Sequence, residues 1–400
     1  MKHLSGASEM VFDLLRARHE TPGCSNVLHF NNAGAALMPK PVLESVIAHL
    51  QMEAEIGGYE AAQHSHEAVE QVYDSVATLI GCHRDEIAII ENATRAWDLA
   101  FYSIPFGSGD RILTSMVEYA SNYIAFLQVT RKTGATVEVI PNDEHGQLSI
   151  TALCNAIDHD VKLIAITHIP SNGGLVNPAA AVGKVAREAG ILYLLDACQS
   201  IGQMPIDVNA IGCDFLSATG RKYLRGPRGT GFLYARRDSM EQLEPPFLDR
   251  HAAQWVARDR YELRPDARRF ENWETNYATK IGLGVAIDYT LKWGMEAIWS
   301  RISALSTSLR TQLNNIRGVK VWDLGIERCG IISFTVKDKS SKDIFQKLVQ
   351  QNINVSISTL KSTRLDMEAR GLTELVRASV HYYNTEAEVE HFCFALNSFL

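Results

Sequence analysis

VKLIAITHIPSNGGLVNPAAAVGKVAREAGILYLLDACQS, residues 161–200, decides the fold. It opens on an apolar, β-branched run, VKLIAIT, and closes on another, ILYLLDA. Between them AAAVGKVAREAG spaces its apolar side chains at helical intervals and ends in Gly190, the residue type that most readily turns left-handed after a helix. Strand, crossover helix and strand form the repeating unit of a parallel sheet covered on both faces.

Similar runs recur on both sides: VLHF near 27, EIAII near 86, RILTS near 111, TVEVI near 136, FLSATG near 215 and GTGFLYA near 229. Helical patterns separate most of them, so the expectation is an α/β, doubly wound, mostly parallel sheet of about seven strands. GTGFLYA follows FLSATG too closely for a crossover helix and reads as an antiparallel member. After RRFENWETNYATKIG the proline-free stretch Leu283 to Ile316 repeats apolar residues at helical spacing, as a helix or helix pair joining two domains would. Beyond it VKVWDL, GIISFTV and INVSIS are strand-like and SKDIFQKLVQQ and EAEVEHFCFALNSFL are helical, giving a smaller α+β C-terminal domain. The expected division is residues 1–30 as a helical segment packing on the small domain, 31–280 as the large domain, and 281–400 as the small domain with its linking helix.

At 400 residues, 46% apolar and 21% charged, the chain has ample core for this plan. Its formal charge of -7 is scattered, which disfavours nucleic acid and other polyanions. Seven cysteines, an odd number with no CxxC pair, argue against a disulfide framework and a zinc site, so no metal and a cytoplasmic setting are expected. No window approaches ~18 uninterrupted apolar residues, and the amphipathic N-terminus lacks a signal-like apolar core, so no membrane association is expected.

Chemistry concentrates after the apolar runs. Lys222 lies in SATGRKYLRGPRGTGF, among glycines 220, 226, 229 and 231, and follows Asp196, at the end of ILYLLDA, by 26 positions. A lysine amine forms a Schiff base with an aldehyde cofactor, and a buried carboxylate keeps a pyridine nitrogen protonated, so the pair points to pyridoxal 5'-phosphate. Taken singly, such a lysine is ordinarily solvated charge and such an aspartate a helix cap. In ENATRAW the amides of Ala93, Thr94 and Arg95 and the Thr94 hydroxyl are placed to hold a phosphate, with plain helix capping as the rival reading. EYASN offers Tyr119, with Tyr123 just beyond it, to pack on the cofactor. THIPSNGG offers His168, Ser171 and Asn172 to substrate or to the cofactor's phenolic oxygen. Gln199 is set to meet the ring oxygen, and Arg377 offers a two-point fork for a substrate carboxylate.

In order along the chain, ENAT, EYASN, THIPSNGG, LLDACQSIGQ with TGRKYLRGPRGTGFLY, and RASVHYYNT resemble the class V aminotransferase family. That group of fold type I pyridoxal phosphate enzymes includes cysteine desulfurases, isopenicillin N epimerase-like proteins and ergothioneine carbon-sulfur lyases. The resemblance spans Asn31 to Glu390. It implies Lys222 as the Schiff-base lysine, Asp196 on the pyridinium, Gln199 on the ring oxygen and Arg377 on the substrate carboxylate. It places Thr94, Thr219 and Arg221 around the phosphate, with Arg221 where many relatives have histidine. It further implies a homodimer with shared active sites, for which Tyr59 in GGYEAA and the stretch RRFENWETN are candidates to reach the neighbour.

Three departures stand out. The loop where desulfurases carry their catalytic cysteine reads STLKSTRLDMEARGLTELV, without a cysteine. The histidine that desulfurases stack on the ring falls at Ala120, leaving Tyr119 or Tyr123 to cover it. Ala93 replaces a second threonine at the phosphate turn. The preferred expectation is therefore a carbon-sulfur β-lyase on a cysteine-derived amino acid, releasing pyruvate and ammonia, with desulfuration disfavoured. Class V transamination and epimerisation are the alternatives, and a non-catalytic binding protein is disfavoured by the full set of site residues.

Overall fold

The computed structural model describes residues 12–400. Seven of the eight apolar runs build one sheet: β1 (Ile87–Ile90), β2 (Arg111–Ser115), β3 (Thr136–Ile140), β4 (Val161–Thr167), β5 (Leu192–Asp196), β6 (Phe215–Thr219) and β7 (Gly231–Ala235). Their spatial order is β1-β7-β6-β5-β4-β2-β3. Only β7 runs against its neighbours β1 and β6. The helix between β4 and β5 spans Ala179–Ala189 and ends on Gly190 at φ 67°, the left-handed cap its sequence calls for.

VLHF departs from expectation. Only Leu28–His29 is extended, and it pairs in parallel with Ile353–Asn354 of the C-terminal region instead of joining the central sheet. Four half-buried and buried residues without a flanking crossover helix do not fix a sheet position. The stretch after residue 276 is a helix pair, Tyr277–Trp293 and Met295–Asn314, broken at Gly294. A second, antiparallel sheet follows: β8 (Val319–Val321), β9 (Ile331–Val336), β10 (Ser356–Thr359) and β11 (Glu374–Ser379), in the order β8-β9-β11-β10.

Apolar clusters cover both faces of the large sheet, and a third fills the C-terminal layer against the helix Met295–Asn314. The N-terminal expectation falls partly on residues 1–11, outside the described residues. The described part forms a helix, Leu14–His19, from which Arg18 reaches Glu388 at 2.8 Å. Arg225, at φ 61°, is buried against Tyr382 and Tyr383 and donates from Nε to the Leu37 carbonyl at 2.8 Å. No described helix is long and apolar enough to cross a membrane.

Candidate active site

The sheet brings its polar strand ends to one edge. Thr167 of β4 is in register with Asp196 of β5, Asp196 with Ser217 of β6, and Thr219 of β6 with Gly231, the first residue of β7. Because β7 is antiparallel, its start lies at the edge where its neighbours end, beside Asn92 and Ala93. Ligands of open α/β sheets bind at this carboxyl edge. Here a cavity is lined by Asn92, Ala93, Thr94, Tyr119, Thr167, Ile169, Ser171, Asp196, Cys198, Gln199, Thr219, Arg221 and Lys222.

The lysine turn is held by its own backbone: Gly220 N–H donates to Thr230 O at 2.9 Å and Gly226 N–H to Gly220 O at 2.8 Å. A Cβ on Gly220 would collide with Thr230 Oγ1, so this crossing requires glycine. Burial pushes the Lys222 amine below its ordinary range; Cys198 and Asp196 pull it back, and Arg221 and Arg377 push it further down. An unprotonated amine is the nucleophilic form.

Asp196 Oδ1 accepts from Cys198 N–H at 2.9 Å, and Oδ2 from Asn122 Nδ2 at 3.0 Å. Gln199 donates from Nε2 to Ala33 O at 3.1 Å, which leaves its buried Oε1 without a partner. Asn92 caps the helix Ala93–Ser103 by accepting Arg95 N–H at 3.0 Å. That commits the Arg95 amide and leaves those of Ala93 and Thr94 in the turn that has no intrahelical partners. The Arg95 side chain turns away, 3.8 Å from Glu91 and over the Phe247 ring.

Other expected residues take different positions. Arg377, on β11, donates to Ser171 O at 2.6 Å and to Asn31 Oδ1 at 3.3 Å, with Nε unpartnered. Burial, and then Arg221 nearby, bring its guanidinium down to about 10. Asn172 spends its Nδ2 on Asp366, at 2.8 Å. His168 is buried with Nδ1 unpartnered, and it is absent from the cavity lining, as strand alternation after Thr167 dictates. Burial lowers its imidazole to about 4. Tyr59 is exposed and lines a larger cavity with Trp273 and Tyr277. Tyr119 lines the lysine cavity, whereas Tyr123 packs edge-on to Phe126. Ala120 N–H donates to Ser362 O at 2.9 Å, so the cysteine-free loop lies against EYASN. The reading of the sequence passed over Cys198 as a lining residue, and Glu118 and Asn122 behind Asp196; their i,i+4 spacing was the available signal.

The donor set fits pyridoxal phosphate: a buried amine, a carboxylate with free lone pairs, the orphaned Gln199 and Ser171 oxygens, and a helix N-terminus face one cavity. Residues 28–392 match the family described as Aminotransferase class-V. The chain belongs to the class V aminotransferase family. Like its relatives it is a pyridoxal phosphate-dependent enzyme. A probable cysteine desulfurase of Methanothermobacter thermautotrophicus is 30% identical over 383 residues, 93% of this chain and 94% of that one. The apo structure of the cysteine desulfurase from Thermococcus onnurineus NA1 superposes with a TM-score of 0.90 at 27% identity, covering 96% of this chain and 97% of that one. The cystine C-S lyase C-DES, in complex with its reaction product cysteine persulfide, superposes with a TM-score of 0.85 at 25% identity, covering 94% and 99%.

These class V relatives correct one expectation. The β-lyase reading, which disfavoured desulfuration, is overturned by curated relatives and a solved structure named cysteine desulfurase. Transamination and epimerisation are likewise not what these relatives are named for. A cysteine missing from one loop does not separate this chain from relatives named cysteine desulfurase that match it along 93% of its length.

Proposed function

We propose that this enzyme is a cysteine desulfurase, converting L-cysteine and a thiol R–SH to L-alanine and the persulfide R–S–SH. The observation that carries the proposal is the gathering of Lys222, Asp196, Gln199, Thr219 and Arg221 on one cavity, in a chain matched along 93% of its length by a probable cysteine desulfurase. Bound at Lys222, pyridoxal phosphate supplies an electron sink for the substrate's α-carbon.

The chain's own residues do the rest. Lys222, whose amine burial pushes below its ordinary range, takes the proton from Cα. The Asp196 carboxylate would hold the cofactor at its pyridine nitrogen, and Gln199 would hold it at its ring oxygen. Arg377, fixed on β11, receives the α-carboxylate through its fork. Thr94, Thr219, Arg221 and the Ala93 and Thr94 amides would hold the phosphate, and Tyr119 would cover the ring. Cys198 lines the cavity, but burial pushes its thiol up to about 12, which makes it a poor sulfur acceptor. The accepting thiol is therefore supplied from outside the chain.

The supporting assembly is a cytoplasmic homodimer. Tyr59 and the loop around Trp273, on the cavity of about 730 Å³, reach the neighbouring copy, and the large and small domains divide near residue 280. Holoenzyme given L-cysteine and dithiothreitol is expected to release alanine and sulfide in equal amounts. Pyruvate and ammonia in place of alanine would overturn the proposal.

A further inference from the structure

Glu118 is a buried carboxylate directly behind Asp196, and no step so far uses it. It sits at the turn after β2 and is 4% exposed. Its Oε1 accepts from Thr167 Oγ1 at 2.6 Å, Asn122 Nδ2 at 2.8 Å and Tyr119 N–H at 2.9 Å. Its Oε2 accepts from Thr114 Oγ1 and from Thr167 N–H, each at 3.0 Å. All five donors are neutral. Burying a carboxylate without a cation costs several kcal/mol, so a charge held this way needs a compensating use. Burial, with the Asp196 charge adding to it, brings the Glu118 carboxyl up to about 7 against the pull of these donors.

The use follows from Asn122. Its Nδ2 carries two hydrogens and meets two carboxylates, Glu118 Oε1 at 2.8 Å and Asp196 Oδ2 at 3.0 Å. Both hydrogens are spent, so the amide cannot turn, and carboxylates on both sides fix which end is nitrogen. Asp196 is thereby held at Oδ2 by Asn122 and at Oδ1 by Cys198 N–H, which leaves its remaining lone pairs for the cavity.

We infer that Glu118 is a positioning residue of the active site: through Asn122 it fixes the Asp196 carboxylate from behind. The inference rests on the reading that Asp196 faces the cofactor nitrogen. Glu118→Gln replaces one acceptor oxygen with a donor that must point at existing donors, while Asn122→Leu removes the bridge at similar volume.

The test reads cofactor binding. Pyridoxal phosphate is titrated into apoprotein carrying Glu118→Gln, Asn122→Leu, Asp196→Asn, or Glu118→Gln with Asp196→Asn, and both the dissociation constant and the absorption spectrum of the bound cofactor are recorded. Glu118→Gln and Asn122→Leu are each expected to weaken binding roughly tenfold or more and to shift the absorption band. Added to Asp196→Asn, Glu118→Gln is expected to change affinity by less than about twofold, because the group it acts through is already disabled. An undiminished effect in that background, or an unaltered affinity and spectrum in both single variants, would overturn the inference and leave the role of Asp196 standing. Asp196→Asn binding like wild type would instead remove the role of Asp196 itself and the inference with it. Should Glu118→Gln fail to fold, Asn122→Leu carries the same test.

Discussion

Arg377 Nη1 lies 2.6 Å from the carbonyl oxygen of Ser171, joining the C-terminal sheet to the loop after β4. The bond orients the guanidinium from one side and leaves Nε unpartnered. Arg377→Lys keeps a charge but loses the fork. KM for the amino acid should rise by roughly 10- to 100-fold in steady-state kinetics, with the affinity for pyridoxal phosphate unchanged.

Borohydride reduction of the holoenzyme should fix the cofactor on the peptide containing Lys222, visible as a mass increase on that peptide alone. Lys222→Ala should abolish the fixation and lower kcat by about three orders of magnitude or more.

His168 makes stability fall in acid. Its ordinary imidazole titrates near 6.5 and burial lowers it to about 4 in the folded chain. Between these values the unfolded chain binds a proton that the folded chain refuses. The group's contribution is whole above pH 6.5 and declines toward pH 4, by about 3 kcal/mol. Urea unfolding from pH 7 to 4.5 should show a shallower decline in His168→Leu than in wild type.

Asp323 pairs with Arg310 Nε at 2.7 Å, both side chains buried, and also accepts Gly174 N–H at 3.2 Å. Asp323→Ala strands the guanidinium and should destabilise the enzyme by about 3–5 kcal/mol, read from denaturant midpoints.

Asp366 accepts Asn172 Nδ2 at 2.8 Å and Arg370 Nη1 at 3.1 Å. Asp366→Ala frees the Asn172 amide and loosens the loop that supplies Ser171. It should raise KM severalfold, by about 1 kcal/mol of lost orientation, with a smaller change in cofactor affinity.

The central sheet was readable because each strand is a short apolar run followed by polar residues, and Asp196, Thr167 and Thr219 inherit their places from that pattern. The tight turn around Lys222 was readable from its glycines, and at Gly220 a Cβ would meet Thr230 Oγ1. What was not readable depends on partners far along the chain. Asn172 looks available for a ligand until Asp366, 194 residues later, takes its amide. Glu118 looks like a surface acid until Thr114, Thr167 and Asn122 close around it from three elements. The reaction was misread because an absent residue on one loop was allowed to outweigh the residues present.

The short strand Leu28–His29 has a consequence for how the chain assembles. Its register pairs His29 with Asn354, 325 residues further on. As the chain emerges from the ribosome, the large sheet can form with its own neighbours while this early segment waits for a partner still to be synthesised. Contacts of such separation close last and slow folding. The lysine cavity is lined by residues between Asn92 and Lys222, so its whole lining is synthesised well before the segment that pairs with Leu28–His29 and before Arg377 on β11.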